Sequence, residues 1–387
     1  MMGADAGRAL CIGLMSGTSL DGADGVLIDF SAQPRVLASH GLPLPAGLRD
    51  ELLALNASGA DELHRAAVAA HQLTRVYAEV VAALLQAGGV SAREVRAIGA
   101  HGQTVRHHPP GAQLRGRRVD AQDRGFPPYT LQLNAPALLA ELIGISVVAD
   151  FRSRDIAAGG QGAPLVTAFH REIFGCAGRS VAVVNIGGIA NVTALAADGR
   201  VLGLDTGPGN MLLDLWCQRH LGVAYDRDGA WGARGRVDAA LLDRMLAEPY
   251  FALPGIKSTG RDLFNAGWLE QQLQGFALPP ADVQATLVEL TARSIARCLR
   301  ELDWGGMALS ELLVCGGGAR NQALLAALRS EVPCPVLTTA ERGWPVDLVE
   351  AAAFAWLAWR TLTGQPGNLC AVTGAAGPRI LGAIYPA

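Results

Sequence analysis

The amino-acid sequence predicts a two-domain α/β protein, on three observations. The first is length: 387 residues exceed what one compact core usually holds. The second is a plan that occurs twice. Three short apolar runs joined by tight turns, the first turn rich in glycine and polar residues, occupy residues 9–40 and again 181–205. The third is the alternation of helix-period segments with short apolar runs through the rest of the chain. The repetition is one of structure, not of a fixed short period. It leads to two similar domains whose first hairpins are expected to face each other across a central cleft. The boundaries are placed at 1–130 and 131–387, with the final helix expected to pack back toward the first domain.

Composition bounds the function. Charged residues are 17% and apolar ones 50%, a well-buried globular chain. A net charge of −3 without a basic block argues against nucleic acid or an anionic membrane as partner. Seven cysteines stand singly, at 11, 176, 217, 298, 315, 334 and 370, with no CxxC, as small buried residues do in a reducing compartment. The start, MMGADAGRAL, has no basic region followed by a long apolar one, and no stretch offers the roughly 18 apolar residues of a membrane helix. The expectation is a cytoplasmic protein.

In the first domain, Ala9 to Met15 reads as a strand that stops at SGTSLDG (Ser16 to Gly22), and runs at Gly25–Phe30 and Val36–His40 complete a meander. A polar hairpin needs only two residues in its turn. A turn this long, carrying Ser16, Thr18, Ser19 and Asp21, favours a phosphate loop. Gly17 and Gly22 allow close backbone approach, hydroxyls donate to phosphate oxygens, and Asp21 can hold Mg²⁺ through water. Asp61 to Ala87 is a helix stopped by Gly88 and Gly89. Val95 to Ala100 is a strand leading into HGQTVRHHP (His101 to Pro109), a polar cluster where α/β sheets place sites. No carboxylate or cysteine stands at ligand spacing from its histidines, so hydrogen bonding to a polar substrate is preferred to zinc. Pro110 to Pro128 reads as a loop or flap whose Arg115, Arg117, Arg118 and Arg124 form a solvated face.

Strand, helix and strand follow at 129–134, 136–143 and 145–150. The stretch ADFRSRDIAAGGQGAPL then gathers Asp150, Arg152, Arg154 and Asp155. It is either a salt-bridge hinge or a recognition site for a carboxylate or sugar hydroxyls. A helix is expected over 163–174.

The second meander has Val181–Ile186 stopping at GGIAN (Gly187 to Asn191), then Val192–Leu195, an Asp198-Gly199 turn, and Val201–Asp205. In LGLDTGPGNMLLD, Asp205 is placed at a strand end, followed by Gly207, Pro208, Gly209 and a helix capped by Asn210. Two readings fit: an ordinary strand–turn–helix corner, or a general base beside backbone N–H groups that hold phosphate oxygens. Asp150 is the competing base. Asp205 is preferred because its turn brings helix N–H groups beside it, whereas arginines stand ready to pair with Asp150.

Further on, GIKSTGRDLFN puts Lys257, Ser258, Thr259 and Arg261 in one loop, either plain surface or a cover over a phosphate. Helices are expected at 237–246, 282–300 and 322–328, and strands at 311–315 and 336–338. The strand at 311–315 stops at GGGARN (Gly316 to Asn321), where three glycines let a flat ring or a phosphate lie on the backbone. The closing helix is placed at 347–362, with Glu350 at its start.

MSGTSLDG, HGQTVRHHP, DFRSRDIAAGGQGAPL, NIGGIAN, DTGPGN, GIKSTGRDLFN, DVQATLVELTA and CGGGARN together resemble the anhydro-N-acetylmuramic acid kinase family, within the sugar-kinase/actin/Hsp70 ATPase superfamily. The resemblance runs from about residue 11 to the end. Residues 111–126 depart from it, looking longer than the family's usual loop.

The resemblance implies two actin-like ATPase domains, ribonuclease H-like with mixed sheets flanked by helices, around the cleft. It implies ATP and Mg²⁺ phosphorylating the 6-oxygen of 1,6-anhydro-N-acetylmuramic acid while water opens the anhydro bridge, in peptidoglycan recycling, and a homodimer is expected. By motif position, Gly17, Thr18, Ser19, Leu20, Asp21, Gly22, Ala23 and Asp24 form the first phosphate loop, with Asp21 toward the metal. Gly187 and Gly188 form the second, with Gly207, Gly209 and Asn210. Gly316, Gly317, Gly318 and Asn321 lie by the adenosine, and Asp205 is the base. His101, Gln103, Thr104, Asp150, Arg152, Arg154 and Glu350 take the sugar side. The competing readings are a kinase for another sugar or small acid, a non-catalytic sugar-sensing ATP-binding protein, and a glycosidase. The last lacks an evident second carboxylate.

Overall fold

A computed structural model describes residues 8–17, 20–114, 117–118, 126–255, 257 and 259–387. Thr18, Ser19, Arg115, Arg124 and Ser258 lie outside the described residues, as do the side chains of Arg117 and Arg118. The chain divides into two compact units, residues 1–169 with 348–387, and 170–347. The sequence places that boundary at 130/131. The difference has a plain cause: the strand at 147–149 pairs in parallel with the one at 95–100, so the chain cannot leave the first unit earlier.

The first unit begins with β1 (Leu10–Ser16), β2 (Gly22–Asp29) and β3 (Arg35–Pro43), then α1 (Ala46–Ala54), α2 (Glu62–Gly88) and β4 (Val95–Ala100). There follow β5 (Gln103–His108), the two-residue strands β6 (Gln113–Leu114) and β7 (Arg117–Arg118), β8 (Tyr129–Leu133), α3 (Pro136–Ile143), β9 (Val147–Ala149) and α4 (Ser153–Ala157). The unit boundary falls inside α5 (Val166–Phe174), which starts three residues later than expected, beyond Pro164.

The second unit continues with β10 (Ser180–Ile186), β11 (Ile189–Leu195), β12 (Val201–Pro208), α6 (Met211–Leu221), α7 (Ala239–Leu246), α8 (Pro249–Ala252), α9 (Ala266–Leu273) and α10 (Pro280–Glu301). It closes with β13 (Leu309–Cys315), α11 (Gln322–Glu331) and β14 (Val336–Thr338). The chain then returns to the first unit as α12 (Val349–Leu362), α13 (Cys370–Thr373) and β15 (Ala383–Tyr385). β15 has no counterpart among the strands expected from the sequence: AIY shows no apolar–polar alternation.

Each unit has a ribonuclease H-like sheet. In the first, the order is β15-β9-β4-β1-β2-β3; in the second, β12-β11-β10-β13-β14. In both, the antiparallel meander supplies three strands, a later strand (β4 or β13) adds in parallel to the first of them, and β9 or β14 adds in parallel to that one; β15 closes the first sheet antiparallel to β9. That first strand is central, so its apolar residues must be covered on both faces. Accordingly, Leu10, Ile12 and Leu14 of β1 are fully buried on one face and Cys11 on the other, and the apolar run of β10 is buried too.

Helix α2 ends as its two glycines predict, with Gly89 left-handed and its N–H returned to Gln86. Its Val80 and Leu84 lie over Gly25 on one face of the first sheet. Helix α12 lies on the other face in backbone contact: a Cβ on Gly13 would occupy the space of the Ala351 carbonyl, and one on Gly99 that of the Phe354 carbonyl. Only glycine admits this approach.

Gly99→Ala is therefore expected to force α12 off the sheet and to lower the unfolding free energy by about 2–3 kcal/mol or more. Gly47→Ala, where a Cβ meets nothing within 4 Å in helix α1, should be neutral or slightly stabilising. Urea unfolding of the pair against the parent checks both.

Candidate active site

The site residues fall into two sets, one in each unit. In the first unit, the loop between β1 and β2 closes on the Ser16–Ala23 pair. Leu20 adopts a left-handed backbone (φ 58°), a strained state for a bulky residue, and is anchored by a side chain only 4% exposed. Its N–H donates to the Gly17 carbonyl (3.2 Å). Leu20 and Ala23 thus turn their side chains to the core and have only backbone to offer a ligand. Gly22 lacks room for a side chain because the Leu42 carbonyl lies 2.9 Å from where its Cβ would be. Asp21 is exposed at the loop's end.

Gln103 is 1% exposed and clamps this loop. With its amide oriented so that Nε2 donates, it reaches the carbonyls of Ser16 (3.3 Å) and Gly17 (3.2 Å). The motif expected to be a post-strand cluster is itself largely strand. β5 pairs with β8, and there Thr104 Oγ1 accepts from Gln132 while His107 Nδ1 meets Thr130 Oγ1 at 3.0 Å. Burial and the Arg152 cation push the His107 imidazole down to about 4.

The left-handed residue Asp150 (φ 60°) turns the chain so that Phe151 enters the core and Arg152 comes beside His101. Arg152 Nε donates to His101 Nε2 (3.0 Å), and its Nη1 donates to the Gly162 carbonyl (2.8 Å). His101 is 4% exposed, its ring packed at a tilt against Phe354 at 4.5 Å between centres, and its Nδ1 lies 2.7 Å from the Gly102 carbonyl. Burial, then the Arg152 charge, holds its imidazole well below the usual range. Burial lowers Arg152 to about 10, still a cation at neutral pH. Glu350 is open to solvent on its own surface, yet the protein around it raises its carboxyl, with Arg152 opposing the rise.

Of the two readings of this cluster, the salt-bridge hinge has no ion pair to rest on: among the described residues none joins Asp150, Arg152, Arg154 and Asp155. Asp155 is instead fully buried and accepts from Gly162 N (2.8 Å), Asn368 Nδ2 (2.7 Å) and Thr373 Oγ1 (2.8 Å), latching the C-terminal segment. Asp150 accepts from Ser153 Oγ (2.5 Å), and Arg154 is exposed.

In the second unit, Asp205 lies inside β12, which runs on to Pro208, not at its end. The pairing skips a residue: Asn191 faces Asp205 and Ala190 faces Gly207. Thr206 is the extra residue of a bulge, its hydroxyl donating to the Ala190 carbonyl (3.1 Å). Asp205 is half-buried and is held by Lys257, Thr259 and Tyr250. Its N–H donates to the Lys257 carbonyl (3.0 Å), its Oδ2 accepts from Thr259 N (3.0 Å), and its carbonyl accepts from Tyr250 OH (2.8 Å).

Lys257 does not present its charge to a ligand. Its Nζ donates to the carbonyls of Tyr250, Phe251 and Leu253 (3.3, 3.1 and 3.3 Å), capping α8. Nor do the helix N–H groups beside Asp205 await phosphate. Gly209, Asn210 and Met211 donate to the carbonyls of Gly188, Gly187 and Gly188 (2.9, 2.8 and 3.2 Å). Asn210 stands at the N-cap of α6 but makes no side-chain cap; its Nδ2 donates to the Ile186 carbonyl (3.0 Å).

The glycines separate by the space around them. Gly207 and Gly209 are required by packing against Phe251 and the Gly187 carbonyl, and Gly316 and Gly318 by packing against Asn185 and Ile186. Gly187, Gly188 and Gly317 differ, since a Cβ there would meet nothing nearer than 3.7, 3.8 and 3.5 Å. These three leave backbone open to a ligand. Asn321 caps α11, its Oδ1 accepting from Leu324 N (3.0 Å).

The model of one protein family, described as anhydro-N-acetylmuramic acid kinase, matches residues 9–387. The chain belongs to the anhydro-N-acetylmuramic acid kinase family. Relatives bearing that name include those of Bordetella petrii, 58% identical over 98% of this chain and 96% of its own, and Bordetella avium, 56% over 97% and 96%. That of Albidiferax ferrireducens is 54% identical over 98% and 99%. Among solved structures, the activator of the 2-hydroxyisocaproyl-CoA dehydratase from Clostridium difficile covers 92% of this chain and 96% of its own at 13% identity and a TM-score of 0.47, too low to carry an argument. The match to the anhydro-N-acetylmuramic acid kinase family takes in both units, and with them both sets of residues described above.

Three features of the site went unread in sequence. The Thr259 N–H and the Gly162 carbonyl are backbone partners and carry no residue signal. Asp214 did carry one, as a lone acid in the apolar stretch LLDLW, one helical turn beyond Asn210. Burial pushes its carboxyl up to about 7. An unfolded Asp titrates near 3.9. Between these values the unfolded chain has released a proton that the folded protein keeps, so this group's contribution to stability falls as pH rises from 4 to 7. Asp214→Asn should remove that fall. The variant is expected to match the parent near pH 4 and to exceed it by about 1–2 kcal/mol at pH 8, allowing for screening at the group's open edge. Urea unfolding at the two pH values measures it.

Proposed function

We propose that the protein transfers the γ-phosphate of ATP to the 6-oxygen of 1,6-anhydro-N-acetylmuramic acid while water opens the anhydro bridge. The products are N-acetylmuramic acid 6-phosphate and ADP, a step in peptidoglycan recycling. The observation that carries this reading is the family match across both units. A sensor or a glycosidase would leave that match unexplained, and the second would leave the open glycine backbones without a task.

In this reading Asp205 is the general base. It takes a proton from water as the water oxygen bonds to the anomeric carbon. The bond from that carbon to the 6-oxygen breaks, the 6-oxygen attacks the γ-phosphorus, and ADP leaves. Asp205 suits the part better than Asp150: it is half-buried and one oxygen is oriented by the Thr259 N–H, whereas Asp150 is exposed and serves its turn. Gly187, Gly188 and Gly317 offer backbone to the nucleotide, and Arg152 with Glu350 meets the sugar, Arg152 taking the lactyl carboxylate.

Among the described residues no group of three His, Cys, Asp or Glu could cage a metal. That is compatible with Mg²⁺, which relies on one or two carboxylates, phosphates and water. Asp21 is the residue that would hold it, and Mg²⁺ would neutralise charge on the transferring phosphoryl group. A cytoplasmic homodimer belongs to the same proposal. Two observations suit that location: no disulfide joins the described cysteines, and among the described residues no helix is long and apolar enough to cross a membrane.

A coupled ADP-release assay on the anhydro sugar, with product mass measured, tests the reaction; a product lacking the added water would refute ring opening. Asp205→Asn should lower kcat about 10²–10⁴-fold with little change in either KM. Retention of more than about a tenth of kcat, with Asp150→Asn folded but inactive, would transfer the role to Asp150. Gly317→Val should fold, since its Cβ has room, and weaken ATP binding at least about tenfold by calorimetry. Unchanged binding removes Gly317 from the nucleotide site.

A further inference from the structure

The Arg152 cluster holds its guanidinium from two sides. Nδ1 of His101 faces the Gly102 carbonyl at 2.7 Å, and a carbonyl can only accept, so the ring proton resides on Nδ1. That leaves the Nε2 lone pair to accept the Arg152 Nε–H at 3.0 Å. The second anchor, from Nη1 to the Gly162 carbonyl at 2.8 Å, uses a different nitrogen, so the plane of the guanidinium is set as well as its position. Of the five N–H donors of an arginine, these anchors take two. The ring cannot swing away, being 4% exposed and packed against the tilted ring of Phe354. With both nitrogens engaged, His101 has none to spare for a substrate.

We infer that His101 is a positioning residue: through its Nε2 it fixes the Arg152 guanidinium in the orientation that receives a substrate carboxylate. The inference rests on the proposed pairing of Arg152 with the sugar's carboxylate. It changes the expected role of His101 from ligand to support. A carboxylate needs two N–H groups held in one plane, and an arginine free to rotate would lose entropy on each binding event. Protonation of His101 would place a donor against a donor and a cation against a cation, and its buried setting opposes that.

Steady-state kinetics with 1,6-anhydro-N-acetylmuramic acid and ATP test this on His101→Phe, which keeps a ring over Phe354 but offers no acceptor. His101→Gln, which supplies an amide oxygen, is its companion. The sugar KM of His101→Phe should rise about tenfold with the ATP KM unchanged, and His101→Gln should recover most of the loss. Equal rises in both KM values, or a Gln variant no better than Phe, would overturn the inference.

Arg152→Lys separates it from the reading beneath. If Arg152→Lys leaves the sugar KM unchanged, the carboxylate pairing itself fails. If it raises that KM while both His101 variants bind sugar normally, only the positioning role fails. Nitrogen NMR of the parent protein labelled at histidine needs no variant to fold. It should find His101 as the Nδ1–H tautomer at pH 7 with an Nε2 that accepts a hydrogen bond. A proton on Nε2 would overturn the assignment.

Discussion

The backbone-to-backbone seating of α12 on β1 and β4 is the constraint on which the first unit depends. Gly13 and Gly99 remove the two side chains that would keep the helix at ordinary distance, and the carbonyls of Ala351 and Phe354 occupy that space. A segment some 250 residues along the chain from Gly99 is thereby brought onto the same sheet as the first hairpin. Phe354 then stands against both His101 and Phe151, at 4.5 and 5.5 Å between ring centres. The same helix carries Glu350 in its first turn, within the electrostatic reach of Arg152. Asp155 completes the arrangement by binding Asn368 and Thr373, so the C-terminal segment is fastened at a second point.

The two candidate acids are governed by different physics. Asp205 is set by a bulge that re-aims one residue of an otherwise regular strand and by a loop that reaches back some fifty residues to bond its main chain and side chain. Asp214 is governed by desolvation, which keeps it near half-protonated at neutral pH although it sits in the first turn of a helix, where the macrodipole favours a negative charge. Burial outweighs the dipole there because the dipole is worth at most about 2 kcal/mol, less than an upward shift of this size represents.

Glycine-rich loops carry two signals that look alike in a sequence. In GGGARN, Gly316 and Gly318 are glycine because Asn185 and Ile186 crowd them, while Gly317 is open. In DTGPGN, both glycines answer to packing. The helix that follows looks ready to bind an anion until the carbonyls of Gly187 and Gly188 are seen to take its first N–H groups. Donors at a helix start are an anion site only when no carbonyl has reached them first.

Much of the architecture was legible in the sequence because its causes are local. The doubled meander, the helix over 62–88 and its glycine stop follow from side-chain periodicity and turn chemistry within a few residues. So does the end of the 316–321 loop, where Asn321 caps the helix that follows. The motifs also sufficed to indicate the family, later shown by the match. What the tertiary structure alone decided is which groups are already satisfied. Lys257 is spent on three carbonyls, His101 on Gly102 and Arg152, and Asp155 on residues more than two hundred positions away. The unit boundary at 169/170 likewise depends on β9 pairing with β4. Hydrogen-bond satisfaction and the free volume beside a Cα are set by neighbours distant in the chain, and a sequence lists residues without saying which of them will meet.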